Sequence, residues 1–248
     1  MEAISETNSG ERGAPLQGLS ALVTGGSRGI GRAIAVRLAK LGAKVAICGR
    51  DRAALHETLA ALQGIGGPAH AQVADVTRAE EISKLLADTE AAIGPLSILV
   101  NNAGIGLFGP LQEQSEADWD RVLNTNLKSV FLVSRAVAPG MMRRGRGDIV
   151  NISSLAGLNA FAGGGIYCAS KWGLQGLTAC MAEDLRGHGV RVSAVCPGSV
   201  ATDFGVGRDK KKPNALQPED VAHAVATIVT QAPGSFVSEI QIRPLKKS

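Results

Sequence analysis

The chain has 248 residues, 45% of them hydrophobic and 19% charged, with a formal net charge of +4. That mixture fills a core and excludes a disordered or collagen-like chain, while Lys and Arg are too scattered to make a nucleic-acid footprint. Aromatic residues are only 3% and glycines number 31, so the core must be mostly aliphatic and the backbone rich in tight turns.

Residues 1–15 are polar and rich in Gly, Ser and Glu, and they read as a flexible tail before a single domain over 16–248. Strands are predicted at Leu19–Thr24, Lys44–Cys48, Ala69–Ala74, Ile98–Asn101, Ile149–Ser153, Val190–Cys196 and Phe236–Ile242. Helices alternate with them at Gly29–Leu41, Arg52–Gln63, Ala79–Ile93, Ala117–Arg144, Ile166–His188 and Pro218–Thr230. Strands that read apolar throughout and alternate with helices imply an α/β fold, a doubly wound parallel sheet of about seven strands with helices on both faces. Thr202–Gln217, with the charge run Arg208–Lys212, is the one weakly structured interior segment. No apolar run approaches the ~18 residues that span a bilayer, and no signal-peptide pattern opens the chain. Cys48, Cys168, Cys180 and Cys196 form no CxxC pair, so neither a disulfide framework nor a zinc site is indicated; a reducing cytoplasm fits.

The first strand runs into Thr24-Gly25-Gly26-Ser27-Arg28-Gly29-Ile30-Gly31. Glycines let the chain turn sharply and let a ligand approach bare backbone, and the next helix opens with free amides and a positive dipole end. The spacing is G-x-x-x-G-x-G, neither the familiar G-x-G-x-x-G nor a Walker A loop. Gly25-Gly26-Ser27-Arg28-Gly29 also fits the G-x-S-x-G elbow of α/β-hydrolases. That alternative needs a later His at a strand tip; His188 falls at a helix end and His223 within a helix.

The end of the second strand reads Cys48-Gly49-Arg50-Asp51. An acid here would favour NAD by accepting from a ribose hydroxyl. Asp51, however, directly precedes a helix and reads as its N-cap. Arg50 offers a planar cationic fork for a 2′-phosphate, and Arg28 can close on the same group. NADP(H) is therefore the preferred cofactor, with NAD(H) the alternative.

The single tyrosine is Tyr167, and Lys171 stands one helical turn later on the same face. A free phenol titrates near pH 10. A neighbouring ammonium favours the phenolate and makes the phenol a better proton donor near neutrality. Ser153 and Ser154 end the fifth strand and Asn101-Asn102-Ala103-Gly104 the fourth, both at the carboxyl edge where such sheets bind ligands. In the long helix Asn126 falls on the apolar stripe of Trp119, Val122, Leu123, Val130 and Val133. A buried amide there is either a satisfied core residue or part of a polar relay.

Together these motifs resemble the short-chain dehydrogenase/reductase family over residues 18–242. The resemblance implies a Rossmann-like fold. It makes Thr24–Gly31, with Gly25, Ser27, Arg28, Gly29, Ile30 and Gly31, the cofactor turn. Asp75-Val76 would contact the adenine, and Asn102, Ala103 and Gly104 would line the cofactor. Pro197-Gly198 with Val200 and Thr202 would hold the nicotinamide carboxamide. Asn126, Ser154, Tyr167 and Lys171 match the catalytic tetrad. Ser154 is chosen over Ser153 because it lies thirteen residues before Tyr167. In these roles Tyr167 exchanges the proton, Lys171 assists it and binds ribose hydroxyls, Ser154 holds the substrate oxygen, and Asn126 anchors a water in the relay. The resemblance also implies a homotetramer or a homodimer.

Within the family, Met141-Met142-Arg143-Arg144 before Gly147-Asp148-Ile149, and Cys196-Pro197-Gly198, look most like 3-oxoacyl-[acyl-carrier-protein] reductases. Arg143, Arg144 and Arg146 would then receive an acidic carrier protein, or else serve as ordinary helix C-terminal cations. The C-terminal Phe236–Pro244 stretch departs from that group, so a carrier- or CoA-linked thioester stands beside a general ketone, alcohol, sugar or steroid substrate. A non-catalytic nucleotide-binding protein is the other reading, opposed by the presence of both Tyr167 and Lys171. No nucleic-acid or membrane partner is expected.

Overall fold

The computed structural model describes residues 13–205 and 214–246. Residues 1–12 of the expected tail and the Arg208–Lys212 run lie outside the described residues.

Seven strands form one parallel sheet: β1 (Ser20–Thr24), β2 (Lys44–Gly49), β3 (Ala69–Val73), β4 (Ile98–Asn101), β5 (Gly147–Ile152), β6 (Val190–Pro197) and β7 (Glu239–Ile242). Their spatial order is β3-β2-β1-β4-β5-β6-β7. The chain runs outward from β1 to β3, then returns to place β4 on the other side of β1. Connections therefore leave β1 and β4 in opposite directions and open a crevice beyond their carboxyl ends.

Helices α1 (Gly29–Lys40), α2 (Arg52–Gln63), α3 (Ala79–Ile93), α4 (Glu116–Leu123), α5 (Ser129–Arg144), α6 (Gly165–Arg186) and α7 (Pro218–Val229) cover the sheet. The period of two along each strand sorts the core into two layers. Ala21 and Val23 of β1 and Val45 and Ile47 of β2 pack with Ile34, Leu38, Leu55 and Val225, from α1, α2 and α7. Leu22, Ala46 and Cys48 face the other way, with Leu85, Val133, Val137 and Ala182, from α3, α5 and α6. Two-sided burial explains why the middle of each central strand is mostly apolar, with its polar residues paired or near the strand ends. The edge strand β3, Ala-His-Ala-Gln-Val, is half-exposed and departs from the expected apolar reading.

Start signals hold locally. Asp51 Oδ1 accepts from the Ala54 amide at 3.1 Å and caps α2. Ser115 and Asp118 form a reciprocal capping box at α4. Gly145, at φ 66°, ends α5 in the left-handed conformation. The helix expected over Ala117–Arg144 is divided. A π-helical turn at Asn124–Lys128 separates α4 from α5. Such wide turns commonly accompany functional sites. Trp119, placed on the apolar stripe by spacing, is 47% exposed, whereas Asn126 is buried. The extra residue in the turn rotates the face presented before it relative to the face after it.

Two further polar groups are fixed inside. Asn101 Nδ2 donates to Ser134 Oγ and Asn151 Oδ1, and Asn151 Nδ2 donates to Thr178 Oγ1, so a hydrogen-bonded amide ladder joins β4 and β5. At the amino edge of the sheet Asp148 accepts from Arg191 at 2.7 and 2.9 Å.

Candidate active site

The crevice at the β1/β4 switch point encloses about 1100 Å³ and draws on both halves of the chain. Its first wall is the glycine turn. Gly25 (φ 63°) and Gly29 (φ 54°) adopt the left-handed region, which a side chain would strain. A Cβ on Gly31 would collide with the Gly25 carbonyl oxygen and stand 2.5 Å from Asn102 Nδ2. Asn102 explains this tightness. Its Nδ2 donates to the carbonyls of Thr24 and Gly25, both at 3.0 Å. Thr24 Oγ1 in turn accepts from the Asn102 and Ala103 amides. The Asn102 side chain thus holds the turn in shape, and its donor is committed there rather than to a ligand. Thr58 Oγ1 on α2 adds a bond to the Ser27 carbonyl at 2.8 Å.

Bare glycine backbone against the start of α1, with two cations above it, fits a dinucleotide pyrophosphate. Arg28 and Arg50 line the crevice and are both exposed, so their guanidinium groups are free to close on an anion. Asp51 is held in its cap. Asp75 and Val76 line the same wall; Asp75 Oδ1 accepts from Thr77 N at 3.0 Å and from Thr77 Oγ1 at 2.8 Å, which orients the carboxylate. Ile30, Ala103, Gly104, Pro197, Gly198, Val200 and Thr202 complete the lining. Gly198 N donates to the Ile242 carbonyl, tying the β6 exit to β7.

The second wall carries Ser154, Tyr167 and Lys171. Tyr167 and Lys171 share one face of α6, with the ammonium 5.8 Å from the phenol ring centroid. Lys171 Nζ donates to the Ile152 carbonyl at 2.8 Å. Burial lowers its pKa from 10.5 to about 8, opposed by nearby Cys196. Ser154 is partly exposed; its Oγ accepts from the Ala156 amide at 3.1 Å and lies 3.4 Å from the Pro197 carbonyl. Ser153 is buried beside Cys196, whose thiol burial pushes up to about 12. The more accessible hydroxyl is the one that spacing selected.

Asn126 is buried, as its place on the apolar stripe predicts. It does not line the crevice. Its Oδ1 accepts from Ile105 N at 2.8 Å, and its Nδ2 donates to the Ile105 carbonyl and to Ser170 Oγ. The side chain is thus fully paired and clasps the loop after β4. A Cβ on Gly104 would lie 3.3 Å from Asn126 Oδ1 and 3.9 Å from Lys171 Nζ, so this clasp sets the backbone facing the lysine.

Two alternatives weighed in the sequence narrow here. Arg143, Arg144 and Arg146 precede β5, at the sheet edge opposite the crevice, and the Arg144 guanidinium donates to the Leu96 carbonyl. They are helix-end cations and structural donors, not a platform at the mouth. Neither His188 nor His223 lines the crevice with Ser27, so the hydrolase elbow lacks its base. Among the described residues no His, Cys, Asp and Glu cluster could hold a metal ion, and no helix is long and apolar enough to cross a membrane.

Residues absent from the sequence-based expectations also converge here. Phe108, Phe161 and Phe204 line the crevice around Tyr167. Phe108 and Phe204 meet the phenol edge-on, with centroids 5.3 and 5.8 Å away, and Phe161 lies 5.9 Å from Phe108. They come from three distant segments, and no spacing rule connects them. Their only sequence signal is rarity, in a chain with five Phe, two Trp and one Tyr.

The family model described as short chain dehydrogenase matches residues 20–213. The chain is 44% identical over 186 residues to 2-(S)-hydroxypropyl-CoM dehydrogenase 3 of Xanthobacter autotrophicus, covering 75% of this chain and 72% of that one. It is 41% identical over 238 residues to (3R)-3-hydroxyacyl-CoA dehydrogenase of Canis lupus familiaris, covering 88% and 92%. A crystal structure of a metagenomic short-chain oxidoreductase in complex with NADP superposes with a TM-score of 0.83 at 44% identity, covering 94% of this chain and all of that one. With its parallel sheet, switch-point crevice and Tyr/Lys wall, the chain belongs to the short-chain dehydrogenase/reductase family of oxidoreductases acting between hydroxyl and carbonyl groups.

Proposed function

We propose that the protein reduces a ketone to a secondary alcohol with NADPH, and runs the reverse reaction with NADP+. The observation that carries this reading is the Tyr167–Lys171 pair on α6, facing a crevice whose other wall is bare glycine backbone under Arg28 and Arg50. The neighbouring structure bound to NADP supports the phosphorylated cofactor. Gly25, Ser27, Gly29, Ile30 and Gly31 would cradle the pyrophosphate, and Arg28 and Arg50 the 2′-phosphate. Asp75 and Val76 would meet the adenine, and Asn102 keeps Gly25 in its cradle shape. Ala103, Gly104, Pro197, Gly198, Val200 and Thr202 would border the nicotinamide.

When bound, the nicotinamide supplies the hydride in reduction and takes it back in oxidation. Tyr167 delivers its phenolic proton to the carbonyl oxygen as the carbon receives the hydride, so the C=O becomes a C–OH. Ser154 donates to the same oxygen and stabilises charge developing there. Lys171, cationic at neutral pH, favours the phenolate that remains on Tyr167 and would bind the ribose hydroxyls. Asn126 serves the relay by position, holding the Ile105 loop opposite Lys171.

A 3-oxoacyl thioester is the finer reading supported by the hydroxyacyl-CoA relative, which matches nearly end to end. Exposed Arg121 and Arg243 on the rim suit the phosphates of a CoA-type handle. Phe131 on α5 and Trp172 on α6 are 43% and 53% exposed. They support association through these helices into a homotetramer or homodimer, and light scattering measures the assembly directly.

The deciding experiment is Tyr167→Phe. NADPH affinity, read by fluorescence titration, stays near that of the parent, while turnover falls by about 10²–10⁴-fold. Parent-level turnover on every accepted ketone would remove Tyr167 from the chemistry.

A further inference from the structure

The proton donor sits in an aromatic recess built from three separated segments. Phe108 follows β4, Phe161 precedes α6, and Phe204 follows β6. Glycines admit the rings. A Cβ on Gly106 would stand 2.7 Å from Phe204 and 2.8 Å from Phe108. One on Gly205 would meet Phe108 at 2.7 Å, and one on Gly164 would meet Phe161 at 2.6 Å. Gly109 N donates to the Gly163 carbonyl at 2.9 Å, locking the Phe108 and Phe161 segments together. The floor is apolar, with Tyr167 packed among Ala156, Cys168 and Phe108. Phe161 and Phe204 remain 37% and 43% exposed on either side. Apart from the buried Lys171, the charged residues of this half, Arg121, Asp203 and Arg243, stay out on the exposed rim.

Partly exposed phenyl side chains beside a buried proton donor suit a flat apolar group, because aromatic rings gain from edge-to-face contact beyond simple burial. We infer that the substrate is a ketone carrying an aryl group on, or one carbon from, its carbonyl, with Phe161 and Phe204 as specificity-determining residues. This rests on the carbonyl-reductase reading above and assigns what that reading leaves open, the group attached to the reacting carbon. It ranks sugars below aryl ketones, since hydroxyls gain nothing from phenyl rings.

The test compares phenylacetone, cyclohexylacetone and butanone with NADPH, in the parent and in Phe161→Ala, Phe204→Ala, Phe161→Leu and Phe204→Leu. These reacting carbonyls are electronically alike, so differences report the recess. In the parent, kcat/KM for phenylacetone exceeds that for butanone by about 10–100-fold, the range a buried phenyl-sized group supplies. Each alanine variant loses about tenfold or more on phenylacetone, mainly through KM, and less on butanone. The leucine variants recover cyclohexylacetone better than phenylacetone. Saturation-transfer NMR on the protein with NADP+ and phenylacetone gives a readout without turnover, with aryl-proton saturation that fades in the Phe161→Ala/Phe204→Ala double variant. Equal efficiency with phenylacetone and butanone overturns the aryl assignment and leaves the reductase reading standing. NADPH binding with no oxidation by any ketone overturns both.

Discussion

Lys171 is the buried cation of the crevice, and its cost can be measured. Moving its pKa from 10.5 to about 8 in the folded chain corresponds to about 3 kcal/mol against the charged native form. The sign follows from proton counting. Between pH 8 and 10.5 the unfolded chain binds more protons at this site than the folded one, so native stability rises with pH there. The penalty is fully present below pH 8 and fades as the pH climbs through that window. In the cofactor-free protein, Lys171→Met removes the titration together with the Nζ–Ile152 hydrogen bond. The bond's loss is a constant offset of about 1–3 kcal/mol. The pH-dependent part is therefore visible as a change in the gap between the two proteins. From pH 7 to pH 10, parent stability should gain about 2–3 kcal/mol relative to Lys171→Met. For a chain of this size that is a relative Tm shift of about 5–10 °C. Melting curves of both proteins at matched ionic strength provide the measurement. Both proteins carry Tyr167→Phe, because the phenol is coupled to Lys171 and would otherwise differ between them; the remaining groups are common to both. A gap constant from pH 7 to pH 10 would show that Lys171 is solvated rather than buried, and the charge argument at Tyr167 would fall with it.

Other substitutions probe separate parts of the fold. Arg50→Ala should lower the NADPH-over-NADH preference by about 10–100-fold, the loss of a charged hydrogen bond to a phosphate, as read by titrating both nucleotides. An unchanged ratio removes Arg50 from cofactor choice. Gly31→Ala drives a methyl group into the Gly25 carbonyl and Asn102, so NADPH affinity should fall at least tenfold, with a loss of about 1–3 kcal/mol in stability by urea unfolding. Normal affinity in this variant would mean the turn is looser than described. Asp148→Ala leaves Arg191 facing only the carbonyls of Gln231, Ala232 and Ser235 and should cost about 3–5 kcal/mol. A change in Tm below 2 °C would show the pair to be effectively solvent-screened.

Hydrophobic runs and caps carried most of this architecture into the sequence. Short apolar runs alternating with helical patterns located the central strands, and Asp51 announced its helix because an unpaired helix start needs an acceptor. The edge strand β3 was weaker for a physical reason: one of its sides faces solvent, so its alternation of Ala, His and Gln resembles a loop. The π turn at Asn124–Lys128 left no mark, because periodicity averages over one extra residue. Within the site, Tyr167, Lys171 and the glycine turn were legible because each is a local pattern. The burial of Asn126 was legible from the stripe, but its partners, Ile105 and Ser170, are set by tertiary packing. The arginines at 143, 144 and 146 were legible as charge, but their distance from the crevice is a property of sheet topology. The three phenylalanines escaped for the same reason.

The Asn102 clamp joins residues 77 and 78 positions apart in the chain. A nascent polypeptide that has emerged only as far as β3 possesses every glycine of the nucleotide turn and the Thr58 bond to Ser27, but lacks the Asn102 clamp. Competence to capture nucleotide therefore arrives late in synthesis, once β4 has threaded in beside β1. Occupancy of the crevice is accordingly a report that the two halves have met, and bound nucleotide should favour the completed chain over its truncated forms.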